Sequence, residues 1–142
     1  MDKIDEADRW YNKGVALQDK EKYEEAIVCY DNAIKLNPKN SAAPRNNKGN
    51  SLYALEKYEE AITCHDETIK LNPEDTFAWT NKGASLYSLK NYKESIKCCD
   101  NAINLDPENL AAYNGKGNSL RKLGRHEDAE QCFTKATELQ QS

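Results

Sequence analysis

Apolar positions along the chain come in paired bursts at helical spacing. Trp79, Gly83, Leu86 and Leu89 fall on one stripe, Tyr92, Ile96, Cys99 and Ile103 form the next, and polar residues fill the positions between. Steps of three and four residues mark an amphipathic α-helix, not the alternation of a strand. Each burst covers about 14 residues, roughly 21 Å of helix. A short break such as Lys90-Asn91 or Gly124-Arg125 divides the pair, so the predicted unit is a helical hairpin.

The hairpin recurs. Asn12-Lys13-Gly14, Asn47-Lys48-Gly49, Asn81-Lys82-Gly83 and Gly115-Lys116-Gly117 place their last glycines 35, 34 and 34 residues apart, and Leu17, Leu52, Leu86 and Leu120 keep the same pitch. This predicts an all-α chain of eight helices, one domain over residues 1–142 with repeats at 7–40, 42–75, 76–109 and 110–142. Pro38, Pro73 and Pro107 end the second helices, because the residue before proline is driven out of the α region. Glu24-Glu25, Glu59-Glu60 and Glu127-Asp128 sit in the first turns of second helices, where the helix dipole favours acids. Mid-helix glycine costs about 1 kcal/mol against alanine; a cost repeated four times implies close approach of the partner helix.

Taken together, these slots resemble the tetratricopeptide repeat. Each unit carries an aromatic near its start (Trp10, Trp79, Tyr113), a small residue four on (Gly14, Gly49, Gly83, Gly117) and a leucine three further. A small residue follows early in the second helix (Ala26, Ala61, Ser95, Ala129), then a large one (Tyr30, His65, Cys99, Phe133) and a small one (Ala33, Thr68, Ala102, Ala136). The resemblance spans residues 7–142. It implies a right-handed superhelical solenoid of antiparallel hairpins whose first helices line a concave groove.

Three departures from the family pattern stand out. The slot usually held by leucine is Lys13, Lys48, Lys82 and Lys116; either its stem packs while the ammonium snorkels out, or it meets an acid such as Asp31, Asp66 or Asp100. Pro44-Arg45 accompany the one extra residue, which predicts that the helix starts at Pro44 and that the junction over 39–45 is loose. The chain stops at Leu139-Gln140-Gln141-Ser142 without the polar helix that often covers the last repeat, so the final helix, with Phe133 and Leu139, is expected to present an unpartnered face.

Composition narrows the chemistry. Only 38% of residues are apolar and 31% are charged, with mean hydropathy −0.95, which suits a thin, elongated core. Twenty basic against 24 acidic residues, well mixed, supply no basic stripe for nucleic acid. Apolar runs are too short to span a membrane or serve as a secretory signal. Cys29, Cys64, Cys98 and Cys132 repeat one slot; helices packed about 8 to 10 Å apart hold them beyond disulfide reach. Free thiols and an odd total of five point to a reducing, cytoplasmic setting and away from structural zinc. Cys98-Cys99 reads as one core and one flanking residue, since neighbours on a helix diverge by about 100°. No nucleophile is set beside His65 or His126, and His65 reads as a packed ring. The expectation is no enzyme, no cofactor and no metal.

What remains is the groove. The groove-facing set includes Asp8, Tyr11 and Val15 and is rich in amides: Asn12, Asn46, Asn47, Asn50, Asn81, Asn114 and Asn118 are seven of the chain's 15 asparagines, although asparagine is a mediocre helix former. Tyr53, Tyr87 and Arg121 complete the expected peptide-binding residues. An amide offers donors and an acceptor, so a ladder of them can read peptide backbone regardless of side chains. This resembles the asparagine ladder in the repeat array of the O-linked N-acetylglucosamine transferase; the alternative is an ordinary solvated surface. The family's carboxylate clamp is absent, its slots being Tyr11 with Val15 and Thr80 with Ala84. The expected function is a scaffold that captures an extended peptide of another protein. The alternative is a self-stacking array, or a piece of a longer one, associating weakly end to end through its last helix.

Overall fold

The computed structural model describes residues 2–142 and contains, among them, eight α-helices and one short 3-10 turn. The chain divides into two compact units, Met1–Pro73 and Glu74–Ser142. The first holds α1 (Lys3–Asp19), α2 (Tyr23–Leu36), the 3-10 turn Pro38–Asn40, α3 (Ala42–Ala54) and α4 (Tyr58–Leu71). The second holds α5 (Thr76–Ser88), α6 (Tyr92–Leu105), α7 (Leu110–Lys122) and α8 (His126–Gln141). Each unit is therefore two hairpins, and the all-α, eight-helix expectation holds.

One backbone device closes all four hairpins. In α1–α2 the Lys22 N–H donates to Leu17 O and the Glu21 N–H to Gln18 O, both at 2.9 Å, which is the Schellman arrangement at a helix C-terminus. The same pair of bonds recurs around Glu56, Lys90 and Gly124. It requires positive φ, which is 60° at Glu21, 61° at Glu56, 65° at Lys90 and 80° at Gly124. Only the fourth turn uses the residue suited to that conformation. A non-glycine residue there stores roughly 1 kcal/mol of strain, part of which glycine gives back as chain entropy on unfolding. Lys90→Gly is expected to stabilise the protein by about 0.5 kcal/mol, read as a higher urea midpoint at unchanged slope; a lower midpoint would refute it.

Glycines on the first helices admit the large side chains of the second. Tyr30 lies against Gly14, His65 against Gly49, Cys99 against Gly83 and Phe133 against Gly117. The first helices begin on side-chain caps where one is available: Asp2, Asp75 and Asn109 accept from Asp5 N, Ala78 N and Ala112 N at 2.8, 3.1 and 3.1 Å.

Three sequence expectations need correction. α3 starts at Ala42, two residues before Pro44, and Pro44 is buried within it. The extra residue is absorbed in the 3-10 turn and tied down: fully buried Ser41 donates to Pro38 O at 2.6 Å and accepts from Arg45 Nε at 2.8 Å, while the Arg45 guanidinium pairs with Glu67. The junction is knit where a loose one was expected. Cys98 and Cys99 are both buried, not one core and one flank, because α6 packs α5 on one side and α7 on another.

The third concerns α8. Phe133 faces its own hairpin, against Gly117, and is not the exposed stripe the sequence suggested. Ile27 packs on the Leu52, Ala61 and Cys64 cluster of the next hairpin, and Ile96 on that of Leu120, Ala129 and Cys132. The same register in α8 is Glu130, and Thr137, also exposed, holds the slot of Ile34, Ile69 and Ile103. In α1, Arg9 occupies the slot of fully buried Ala78 and Ala112. Arg9, Glu130 and Thr137 are thus polar where the other repeats hold apolar or small residues.

Candidate functional site

In the first unit α1 and α3 supply the expected face. Asn46, Asn50 and Tyr53, spaced four and three apart, share one side of α3 with Asn47 beside them, and all three asparagines are half-buried. Asn12 is exposed on α1. The helices are joined across this face: the Asn47 amide donates to the Tyr11 hydroxyl at 3.0 Å. Tyr11 packs its ring 5.9 Å from that of Tyr30, and the Tyr30 hydroxyl donates to Gln18 Oε1 at 2.5 Å. Burial pushes Tyr30 up to about 12, with Tyr11 adding to the rise and the Asn47 amide opposing it; it stays a neutral donor. Asn46 Oδ1 is buried with no hydrogen-bond partner. Such an acceptor costs about 1 kcal/mol or more until a donor reaches it.

The second unit repeats the face with different hardware. Asn114, Asn118 and Arg121 follow one stripe of α7, and Asn81 and Tyr87 lie half-buried on α5. Arg121 donates to Asn118 Oδ1 at 3.1 Å, and its guanidinium sits 5.3 Å from the centre of the Phe133 ring, so the stripe's basic residue is held in place. Asn109, on its face an ordinary loop residue in the sequence, both caps α7 and donates to Thr80 Oγ1 at 3.1 Å. Tyr53 and Tyr87 each meet a ring across the turn, Tyr58 at 5.3 Å and Tyr92 at 5.5 Å, edge to face.

The repeated lysines resolve both ways. Lys48 pairs with Asp31 at 2.6 Å and Lys116 with Asp100 at 2.7 Å. Lys13 lies 5.3 Å over the Trp10 ring and Lys82 5.9 Å over that of Trp79. Burial alone would lower Lys116, but the Asp100 carboxylate holds it above the usual lysine range. The partly exposed ion pairs contribute about 0.5 kcal/mol each. Lysine at this slot is thus a packing and pairing residue.

Among the described residues no group of three or more metal-ligating side chains occurs, and no helix is long and apolar enough to cross a membrane. All five cysteines are buried thiols outside any disulfide. Burial raises the Cys64 and Cys132 thiols and pushes Cys99 up to about 12, the opposite of what a nucleophile needs.

Sequence reasoning passed over one feature of the first unit. A cavity of about 200 Å³ is lined by Ala7, Asp8 and Tyr11 of α1, Ala33, Asn37, Asn40, and Ala43 and Pro44 of α3. Its signal was the one-residue insertion between the first two repeats, read only as a disturbance.

Comparison with known proteins fits this geometry. A structure of MamA from residue 41 to the end, from Desulfovibrio magneticus RS-1, is 25% identical with a TM-score of 0.87, covering 95% of this chain and 76% of its own. The first TPR of Spaghetti (RPAP3), bound to the HSP90 peptide SRMEEVD, is 26% identical with a TM-score of 0.82, covering 85% of this chain and 95% of its own. A further crystal structure of MamA, 21% identical with a TM-score of 0.88 over 95% of this chain and 78% of its own, shares the fold. No curated protein sequence matches the chain. Tetratricopeptide repeat models match residues 7–40, 42–75 and 75–142, and with hairpins, glycine slots and turns repeating throughout, the chain belongs to the tetratricopeptide repeat family.

Proposed function

We propose that this chain is a protein-interaction module that holds an extended peptide of a partner protein against the first helices of its repeats. The observation that carries the reading is the amide face of α1 and α3, where Asn47 is pre-oriented by Tyr11 and Asn12 is exposed. An accessible amide such as that of Asn12 offers an acceptor to backbone N–H and donors to backbone C=O of an extended segment. The RPAP3 relative, whose structure holds a peptide, supports the same use of the fold. Asn12, Asn46, Asn47, Asn50 and Tyr53 are assigned to binding in the first unit, and Asn81, Tyr87, Asn114, Asn118 and Arg121 in the second.

The module is read as non-catalytic, since the family fold is typically a scaffold and its thiols are buried. Five cysteines outside any disulfide support a cytoplasmic or other reducing location. Ordering a flexible peptide on a short face holds affinity to roughly micromolar or weaker. The alternative of end-to-end stacking through α8 is less favoured by the polar residues Glu130 and Thr137 at slots that are isoleucine in the other repeats, since they bury poorly against another repeat.

The test is capture of partners from source-cell lysate on immobilised protein, beside a variant with Asn46, Asn50, Asn114 and Asn118 all changed to alanine. Surface substitutions of this kind shift stability by about 0.5 kcal/mol each, so the variant is expected to stay folded by circular dichroism while losing the captured proteins. Equal capture by both proteins, or recovery of the chain itself alone, would refute the amide-face reading.

A further inference from the structure

We infer that the cavity between α1, the 3-10 turn and α3 is a side-chain pocket that takes a lysine or arginine of the bound peptide. This rests on the peptide-binding reading above and adds a charge requirement to it. The floor is apolar and closed, with Ala7 at 5%, Ala33 at 2% and Pro44 also buried. The rim is polar: Asp8 and Asn40 are exposed beside half-buried Tyr11 and Asn37. An aliphatic stem ending in a cation matches that profile, with the methylenes on alanine and proline, the charge at a carboxylate, and a phenol ring as one wall.

The surrounding charges point the same way. Among the described residues Asp8 has no ion-pair partner, and the groove-facing positions of α1 and α3 include Asp8 and Asp19 but no lysine or arginine. Lys48 turns instead to Asp31, and Arg45 to Glu67. Asn37 and Asn40 add amide acceptors to the lining. The face is rich in acceptors and lacks cations, so it selects a donor-rich ligand. The acid-rich peptide SRMEEVD of the RPAP3 relative has the opposite charge character. The extra residue of the first junction has a use here, since the 3-10 turn sets Asn40 at the rim, followed by Ser41, which is locked to Pro38 and Arg45.

The experiment uses N-acetylated, C-amidated ten-residue peptides of alanine, serine and asparagine with one central arginine, lysine, norleucine or glutamate, titrated by fluorescence polarisation at low and moderate salt. Arginine and lysine peptides are expected to bind about tenfold tighter than the norleucine peptide, as a charge-assisted hydrogen bond provides, with the glutamate peptide weakest. Asp8→Asn should shrink that gap to about twofold, whereas Asn47→Ala should weaken all four peptides together. Equal binding of arginine and norleucine peptides, or a gap unchanged by Asp8→Asn, overturns the pocket while Asn47-dependent binding preserves the peptide-binding reading. Absence of binding by every peptide up to millimolar concentration overturns both.

Discussion

At pH 4.5 the protein is expected to be about 2 kcal/mol less stable than at pH 7 on account of one buried imidazole, and His65→Phe is expected to remove that part of the loss. His65 is fully buried between α4 and Gly49 of α3, and neither ring nitrogen has a hydrogen-bond partner. Burial lowers its pKa to about 4, from 6.5, against a small opposing pull from Asp66. The unfolded chain therefore takes up a proton as pH falls through 6.5, while the folded chain declines it until about 4. Between those values the unfolded state binds more protons, so stability falls as pH falls; above 6.5 neither state is protonated there and the effect vanishes. Phenylalanine suits the slot, since the Phe133 ring already sits in the same register under Gly117. It also removes two unsatisfied nitrogens, so His65→Phe should match or exceed the parent at pH 7. Urea unfolding of both proteins from pH 7 to 4.5 checks this, and parallel pH profiles would refute it.

Alanine at Gly14 is expected to cost about 2 kcal/mol, although alanine is the better helix former by about 1 kcal/mol. A Cβ there would lie 2.6 Å from Tyr30 Cε1. The ring cannot swing aside freely, being fully buried with its hydroxyl held by Gln18. At Gly83 the corresponding neighbour is Cys99 Sγ at 3.3 Å, a contact eased by a shift of a few tenths of an ångström, so Gly83→Ala should be near neutral or mildly stabilising. Gly117→Ala belongs between them, with Phe133 Cε1 at 2.7 Å but its ring only half-buried. Adding Tyr30→Cys to Gly14→Ala should restore part of the loss in a double-mutant cycle, because it recreates the Gly83 surroundings. Equal costs at Gly14 and Gly83 would show that ring contact is not the reason for glycine.

The hairpins were legible because each is local. Glycine, leucine and proline at a 34- or 35-residue pitch report contacts made within one repeat, such as Gly117 with Phe133, and these the structure reproduces. Contacts between repeats were read less well. Cys98-Cys99 read as one core and one flanking residue on a single helix, yet both are buried, and Gly115 of α7 closes on the Cys99 sulfur, at 3.1 Å from an added Cβ. Pro44 suggested a helix start on propensity alone, whereas burial of Ser41 and the Arg45–Glu67 pair carry α3 back to Ala42. The amide face was visible as asparagine where helix propensity disfavours it. The Asn47–Tyr11 bond that orients it joins residues 36 apart, which no pattern within one helix encodes. Asn37 and Asn40 looked like turn residues because turns are where asparagine usually belongs.

The five buried cysteines turn the repeats into their own timers. Cys29, Cys64, Cys98 and Cys132 stand one per repeat in the same slot, each buried, with at most 9% of its surface exposed. Alkylating reagents attack thiolate, and opening of a hairpin speeds their access to it. The order in which iodoacetamide adds mass to these four positions is therefore a map of which repeat lets go first, written by the native side chains without a label being introduced.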